Sequence, residues 1–153
     1  MATISAESSA IINRPVHDVW DFVGDPRNEP TWHTDILGIR SAADPARGPG
    51  EDWVVGETLL VTVQFMGRRN YEVEVTKKED NHLLEITTTT GLMKPVATYL
   101  FEPSNGGTRF TRHVDIPVEG PMRLLRPLMR RNAEKRNEQF VQNLKSLLEV
   151  RAA

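Results

Sequence analysis

A chain of 153 residues that is 39% hydrophobic, with a formal net charge of -2, is long enough for one domain with a substantial buried core. A net charge so close to zero excludes a general electrostatic attraction to nucleic acid or to membranes. The chain has no cysteine, so disulfide bonds and thiol nucleophiles are excluded. We therefore expect a single domain over residues 1–153 and, because no secretory signal pattern is visible, a cytoplasmic location.

The first third of the chain predicts one strand, two short helices and a second strand. The first strand is expected over Thr3 to Ile12. Asn13 is then a predicted cap, and Pro15 a predicted first-turn residue, of a helix. One face of that helix is formed by Val16, Val19, Trp20 and Val23. A second short helix is predicted over Pro26 to Trp32, and a strand over Asp35 to Ala43.

The middle of the chain alternates between apolar and polar residues, which is typical of antiparallel strands that are covered on one face. The predicted inward positions are Leu59, Val61, Val63, Phe65, Tyr71, Val73, Val75, Leu84, Ile86, Ala97, Tyr99, Phe101, Phe110, Val114 and Ile116. Turn signals separate these runs at Gly67, Asp80-Asn81, Gly91 and Asn105-Gly106. This part of the chain therefore predicts a meander.

A single long helix is predicted at the end of the chain, from about Met122 to Val150, with Pro121 and Pro127 delaying or kinking its start. Its apolar stripe is interrupted at Arg136 and Asn137. The stripe itself comprises Leu125, Leu128, Met129, Ala133, Phe140, Leu144, Leu147 and Leu148. We expect an α+β fold in which a curved antiparallel sheet of about seven strands wraps around this helix and encloses an apolar cavity.

Three segments carry a resemblance to a known family. They are residues 13–26 (NRPVHDVWDFVGDP) followed by Trp32, residues 106–111 (GGTRFT), and the stretch from Phe140 to Leu148. In this pattern the chain resembles the polyketide cyclase/dehydrase and lipid-transport superfamily, which includes birch-pollen-allergen-like and steroidogenic-acute-regulatory-related lipid transfer domains. The resemblance implies the helix-grip fold and a ligand-binding domain. It carries over no catalytic residue, because these motifs are structural and the fold hosts many functions.

The four histidines give little sign of a metal site or of catalysis. None has a metal-ligand spacing to another, so we expect no metal and no cofactor. His113 and Asp115 share a strand face, but their phase is opposite to that of Phe110 and Val114, which predicts the solvent side. His33 lies where the backbone conformation is not predicted, so a surface, packing or proton-moving role stays open. Hydrolase and nucleotide-binding signatures are missing.

Arg112 is the most informative polar residue, because it shares the inward phase of Phe110 and Val114. A guanidinium on the cavity side must pair with an internal carboxylate, extend past the sheet edge, or meet an anion or carbonyl of a ligand. Aromatic residues at inward positions serve either as core or as hydrogen-bond donors to a ligand. The predicted ligand-binding residues are Trp32, Phe65, Tyr71, Val73, Ile86, Tyr99, Phe101, Phe110, Arg112, Val114, Met129, Ala133, Arg136 and Phe140.

Alternate turns of a meander lie at the same end of the sheet, so three connections should form one rim. The rim would combine apolar tips with cations, namely Met66, Leu92, Met93, Met122 and Leu124 with Arg68, Arg69, Lys94, Arg123 and Arg126. One interpretation is a cavity entrance whose cations attract an amphipathic ligand or make transient contact with an anionic membrane. The other is that these residues cap the open end of the core. Without interleaved stacking aromatics, the basic run predicts no nucleic-acid partner.

The favoured function is binding or transport of a small hydrophobic or amphipathic molecule, such as a lipid, a polyketide or an isoprenoid-like compound. The alternative is a polyketide aromatase/cyclase or dehydratase-like enzyme, in which Arg112 polarises a carbonyl and Tyr71, Tyr99 or His33 moves protons. A purely apolar cavity would favour carriage, and converging titratable groups would favour catalysis. A third interpretation is an interaction module with a collapsed cavity. The sequence leaves open the ligand, the pathway and the choice between monomer and homodimer.

Overall fold

Seven antiparallel strands and three α-helices make up the computed structural model, which describes residues 2–65 and 67–151. The strands are β1 Ala2–Ile12, β2 Ile36–Ser41, β3 Thr58–Gln64, β4 Arg68–Glu79, β5 Leu83–Thr88, β6 Val96–Ser104 and β7 Gly107–Val118. The helices are α1 Val16–Val23, α2 Glu29–Trp32 and α3 Arg126–Arg151, with 3-10 turns over Pro26–Asn28 and Gly120–Leu125. Within the described residues, every helix is too short or too polar to cross a lipid bilayer.

The sheet has the strand order β1-β7-β6-β5-β4-β3-β2, and each neighbouring pair is antiparallel. The predicted meander is therefore confirmed from β2 to β7. The first strand is added beside the last, with Ala2 opposite Val118 and Ile12 opposite Thr108. The curved sheet holds α3 against β1 and β7, and α2 packs between α3 and the sheet edge.

Two predicted helix starts are wrong. Helix α1 begins at Val16 with Pro15 in the cap position and no side-chain cap, so Asn13 is too far away to cap it. Pro15 is extended at ψ 154°, and the residue before a proline is also excluded from the helical region. The α-helical part of α3 begins at Arg126 rather than near Met122, because residues 120–125 form 3-10 turns. The expectation that Pro121 and Pro127 delay this helix is confirmed.

The predicted apolar stripe of α3 holds only in the C-terminal half of the helix. Phe140, Leu144 and Leu148 are buried, whereas Leu125 and Leu128 are 53% and 67% exposed. Leu128 lies nine positions before the buried Asn137, and nine steps of about 100° each place it on the opposite side of the helix. The inclusion of Leu125 and Leu128 in the core stripe is therefore wrong, because the helical phase of α3 turns Leu128 to solvent and Leu125 precedes the helix, in the 3-10 segment.

Candidate functional site

The inward-facing side chains become more exposed toward one end of the sheet. In β3, Leu59 and Val61 are 1% and 6% exposed, whereas Val63 is only half-buried. The other half-buried inward residues at this end are Phe65, Tyr71, Ala97, Ile116, Met129 and Ala133, whereas Ile4 of β1 and Val118 of β7 are buried there, at 3% and 1% exposure. Solvent thus reaches the inner face of the sheet at one end, while the opposite end is closed.

The open end is the rim that the meander predicts. Gln64 lies opposite Arg68 and Val96 lies opposite Asp115, so the β3–β4 turn, the β5–β6 connection and the end of β7 lie together. Leu92 and Leu124 protrude there and are 94% and 86% exposed. Met93 and Met122 are half-buried, and the five predicted rim cations, Arg68, Arg69, Lys94, Arg123 and Arg126, are exposed. Met66 lies outside the described residues.

Five polar residues meet between the sheet and the helices, at the border between the closed core and the open end. The Tyr99 hydroxyl donates to Oε2 of Glu29 at 2.5 Å. Arg112 Nη1 donates to Oδ1 of Asn137 at 2.5 Å, and the Asn137 amide donates to the Arg112 carbonyl at 2.8 Å. His33 Nδ1 is 4.0 Å from Oε2 of Glu29, which is too long for a hydrogen bond. We call Glu29, His33, Tyr99, Arg112 and Asn137 the polar cluster.

Local sequence patterns explain why these residues meet. Tyr99 and Arg112 lie directly opposite each other in β6 and β7, so both side chains point to the inner face. Glu29 and His33 are four residues apart at α2, which places them on one side of that short helix. Asn137 is the polar interruption of the buried face of α3. Two other residues of α3 hold α2 and the residues that follow it in place. The Asn143 side-chain amide donates to the Trp32 carbonyl at 3.1 Å, and Arg136 pairs with Asp35.

Arg112 is a buried cation without an anionic partner among the described residues. Its residue exposure is 6%, and the ion pairs of those residues include none to its guanidinium. The guanidinium carbon lies 5.7 Å from the Tyr99 ring and 5.4 Å from the Phe140 ring. Ring faces and one amide oxygen compensate only part of the cost of removing a charge from water. The geometry therefore favours a negatively charged or carbonyl oxygen beside Arg112.

The titratable rings near Arg112 are held neutral. Burial, followed by the positive charge of Arg112, lowers the pKa of His33 below its ordinary value of 6.5. Burial, followed by the charge of Glu29, raises the pKa of Tyr99 well above 10.0, although Arg112 opposes this shift. A neutral imidazole can accept a proton, and a neutral phenol can donate a hydrogen bond, so both groups retain useful chemistry.

Four buried polar atoms have no hydrogen-bond partner within the described residues. They are Glu29 Oε1, Trp32 Nε1, His33 Nδ1 and Arg112 Nε. An unsatisfied buried group of this kind costs about 1–3 kcal/mol. Two of the four atoms are obligate donors, so a small group that brings an oxygen to them would remove part of this cost.

The fourteen predicted ligand-binding residues occupy two environments. Trp32, Val73, Ile86, Tyr99, Phe101, Phe110, Arg112, Val114 and Phe140 are buried. Phe65, Tyr71, Met129, Ala133 and Arg136 are partly exposed toward the open end. Phe101 packs 5.0 Å from the Trp20 ring in the closed core, and Arg136 pairs with Asp35 and lies over the Phe65 ring. The predicted set therefore includes Tyr99 and Arg112 of the polar cluster, together with residues on both sides of the cluster.

The sequence prediction omitted Glu29 and did not select Asn137. Glu29, Trp32 and His33 are spaced i, i+3 and i+4, which puts them on one side of a helix. Because Trp32 is predicted to point inward, this spacing could have indicated that the Glu29 carboxyl group points inward too.

The prediction that His113 lies on the solvent side of the sheet is confirmed. Its ring contacts Glu7 at 3.2 Å and Asp115 at 2.9 Å on the outer face of the sheet. Across the described residues, no group of three His, Asp or Glu side chains is placed to hold a metal ion.

Two open depressions of the surface lie apart from the polar cluster. One, of about 370 Å³, is at the closed end and is lined by residues that include Lys145 and Glu149. These two side chains already pair with each other at 2.8 Å. The other, of about 720 Å³, lies between β1 and the start of α3. We place the candidate site at the polar cluster, because among the described residues only this region has unpartnered buried polar groups adjacent to an accessible apolar surface.

The low pKa of His33 predicts a pH-dependent stability. The folded state binds this proton less tightly than the unfolded chain, so the His33 contribution is complete above about pH 6.5 and is lost as the pH falls. Wild type should therefore lose more unfolding free energy than His33→Gln between about pH 7 and pH 5. Urea titrations at each pH would measure this. Equal losses would contradict the prediction, and the exposed His17→Gln is the matched control.

Comparison with known proteins agrees with this architecture. The family model described as polyketide cyclase/dehydrase and lipid transport matches residues 3–149. A search of curated proteins finds no significant match to the sequence.

Several solved structures share the fold. The protein TTHA0849 of Thermus thermophilus is 17% identical, with a TM-score of 0.73 over 97% of this chain and 99% of that chain. A START superfamily protein from Mycobacterium smegmatis is 17% identical, with a TM-score of 0.72 over 95% and 97%. Ara h 8.0201 is 13% identical, with a TM-score of 0.69 over 96% and 98%. At these identities the solved structures establish the helix-grip fold alone. The family model, which matches residues 3–149, shows that the chain belongs to the polyketide cyclase/dehydrase and lipid transport family.

Proposed function

We propose that this domain binds a small amphipathic molecule whose apolar body lies between the sheet and α3 and whose oxygen-bearing group contacts Arg112. The observation that carries the proposal is a buried guanidinium without an ion pair among the described residues, placed where the inner face of the sheet becomes accessible. Carbonyl and carboxylate oxygens are natural partners for such a group, and charge-assisted hydrogen bonds are the strongest that a neutral pocket provides.

The remaining groups define the ligand class further. Affinity would come from burial of an apolar body against Val73, Ile86 and Phe140, and the polar cluster would fix its orientation. Trp32 Nε1 supplies a second donor, and Glu29 Oε1 supplies an acceptor for a ligand hydroxyl. The proposed ligand is therefore a lipid, polyketide or isoprenoid-like compound with a carbonyl or carboxyl group at one end, and the proposed activity is its reversible binding or transport.

Native mass spectrometry of the purified protein, followed by organic extraction, tests this function. We expect a stoichiometric bound mass that contains a carbonyl or carboxyl group, or a protein that takes up a fatty acid in preference to the corresponding alkane. Uptake of neither probe, or equal uptake of both, would count against the proposal. The second result would place the ligand in contact with apolar residues alone.

Catalysis is a second candidate, because four titratable groups of the polar cluster converge. In this scheme the neutral His33 imidazole removes a proton from a carbon next to a ligand carbonyl, and Arg112 stabilises the enolate oxygen that forms. The probe is a long-chain β-diketone in D2O, with deuterium incorporation followed by NMR. A catalyst would accelerate exchange, and His33→Gln would abolish that acceleration while His17→Gln would not. A carrier would leave the exchange rate at that of buffer.

A further inference from the structure

Three leucines, in the 3-10 turns before α3 and in its first turn, are left largely uncovered by the rest of the molecule. Leu124, Leu125 and Leu128 are 86%, 53% and 67% exposed. Leu92, which is 94% exposed, lies in the β5–β6 connection at the same end of the sheet. Single exposed leucines are ordinary on protein surfaces, but a contiguous group with cations at its edge is typical of an interaction surface.

The charge around these leucines differs from that of the whole chain. Residues 119–136 contain six Lys and Arg residues and two Asp and Glu residues, against a net charge of -2 for the chain. Arg130 is paired with Glu134 at 3.0 Å. The ion pairs of the described residues include none to Arg123, Arg126, Arg131 or Lys135, and all four are exposed. This segment therefore presents free positive charge beside the leucines.

The geometry places both kinds of side chain on accessible faces. Leu128 and Lys135 are seven residues apart and share the helix face that is turned away from the sheet, and Arg131 lies at the edge of that face. Arg126 and Arg131 also line the open depression of about 720 Å³ together with Thr3 and Ser5 of β1. We call Leu124, Leu125, Leu128, Arg123, Arg126, Arg131 and Lys135 the basic leucine surface.

We infer that the basic leucine surface docks onto an anionic lipid bilayer. The leucines would enter the boundary between headgroups and acyl chains, while the arginines contact lipid phosphates. A bilayer satisfies both kinds of group at once, because long cationic side chains extend to the headgroups beside a buried apolar residue. Docking in this orientation would turn the open end of the sheet toward the lipid. The inference does not depend on which molecule occupies the interior.

Co-sedimentation with phosphatidylcholine vesicles, with and without phosphatidylglycerol, tests this inference. Wild type should bind only the vesicles that contain phosphatidylglycerol, and added salt should release it. Arg123→Glu with Arg126→Glu should weaken binding by roughly tenfold or more, because each cation near an anionic surface contributes a factor of about five and the new carboxylates are repelled. Leu124→Ser with Leu128→Ser should weaken it by a comparable factor. All four positions are exposed, so the variants should remain folded, which circular dichroism would verify.

Matched substitutions elsewhere on the surface separate this site from general charge effects. Arg40→Glu with Arg47→Glu makes the same charge change on exposed residues near β2, and Leu37→Ser removes a 47% exposed leucine. Both controls should bind like wild type. Failure of wild type to bind anionic vesicles, or binding that survives the Arg123 and Arg126 reversals, would overturn the inference. Self-association without vesicles that the leucine variants abolish would assign the surface to a second copy instead.

Discussion

Replacement of Arg112 by methionine together with Asn137 by leucine should stabilise the protein and abolish tight binding of an acidic ligand. The double change removes the guanidinium and the amide whose oxygen it bonds, and it leaves two apolar side chains of similar volume facing each other. Replacement of buried charged groups by well-packed apolar ones is neutral or stabilising by about 1–4 kcal/mol. Binding of a fluorescent fatty acid should weaken by roughly tenfold or more, since charge-assisted hydrogen bonds contribute about 1.5–3 kcal/mol.

Urea unfolding and ligand titration on the same samples measure both effects. The matched control is Arg109→Met, an exposed arginine of the same strand, β7, which should leave both quantities unchanged. A loss of stability in the double variant would mean that Arg112 is a structural element of the core. Unchanged ligand affinity would mean that the ligand's oxygen is held elsewhere.

Truncation of Phe110 and of Phe65 to alanine should have very unequal costs. Phe110 is fully buried and packs 5.3 Å from the Phe101 ring and 5.8 Å from the rings of Trp32 and Tyr99. Its loss should lower the unfolding free energy by about 3–5 kcal/mol, because the closed core is unable to collapse around the space. Phe65 is half-buried at the open end, so the same change there should cost well under half as much.

The direct effects of the two variants on ligand binding should have the opposite order to their effects on stability. Phe65→Ala should weaken fatty-acid binding, because the side chain borders the proposed interior, whereas any effect of Phe110→Ala should follow its loss of stability. Thermal unfolding with and without the fatty acid would measure both. Equal unfolding costs would show that the two ends of the interior are packed alike, contrary to the exposure of their inward side chains.

The sequence was sufficient for the fold because its signals are local and agree with one another. The alternation of apolar and polar residues predicts strands β3 to β7, Asn105-Gly106 predicts a hairpin turn, and the apolar stripe predicts the long terminal helix. Together these signals are compatible with few arrangements of the strands in the sheet. The inward position of Arg112 followed from the same alternation, which is not interrupted by a bulge in β7.

The parts that escaped prediction depend on contacts between distant segments. Glu29 became part of the site because the Tyr99 hydroxyl, 70 residues later, reaches its carboxyl group. The helical phase of Leu128 depends on where α3 begins, and this is set by the 3-10 turns before Arg126. The hydrophobicity of a leucine does not reveal which side of a helix the rest of the molecule will cover.

The pairing of β1 with β7 has a consequence for the time course of synthesis. Every residue of β1 finds its partner roughly 100 positions later in the chain, so this pair forms only when nearly the whole domain has been made. At elongation rates of about 5–20 residues per second, β1 is without its partner for roughly 5–20 s. During synthesis the chain therefore passes through a stage in which strands β2 to β6 are complete while β6 is still an edge strand without β7 beside it. Because this pair joins residues so far apart in the chain, we expect it to form late and to slow the folding of the domain.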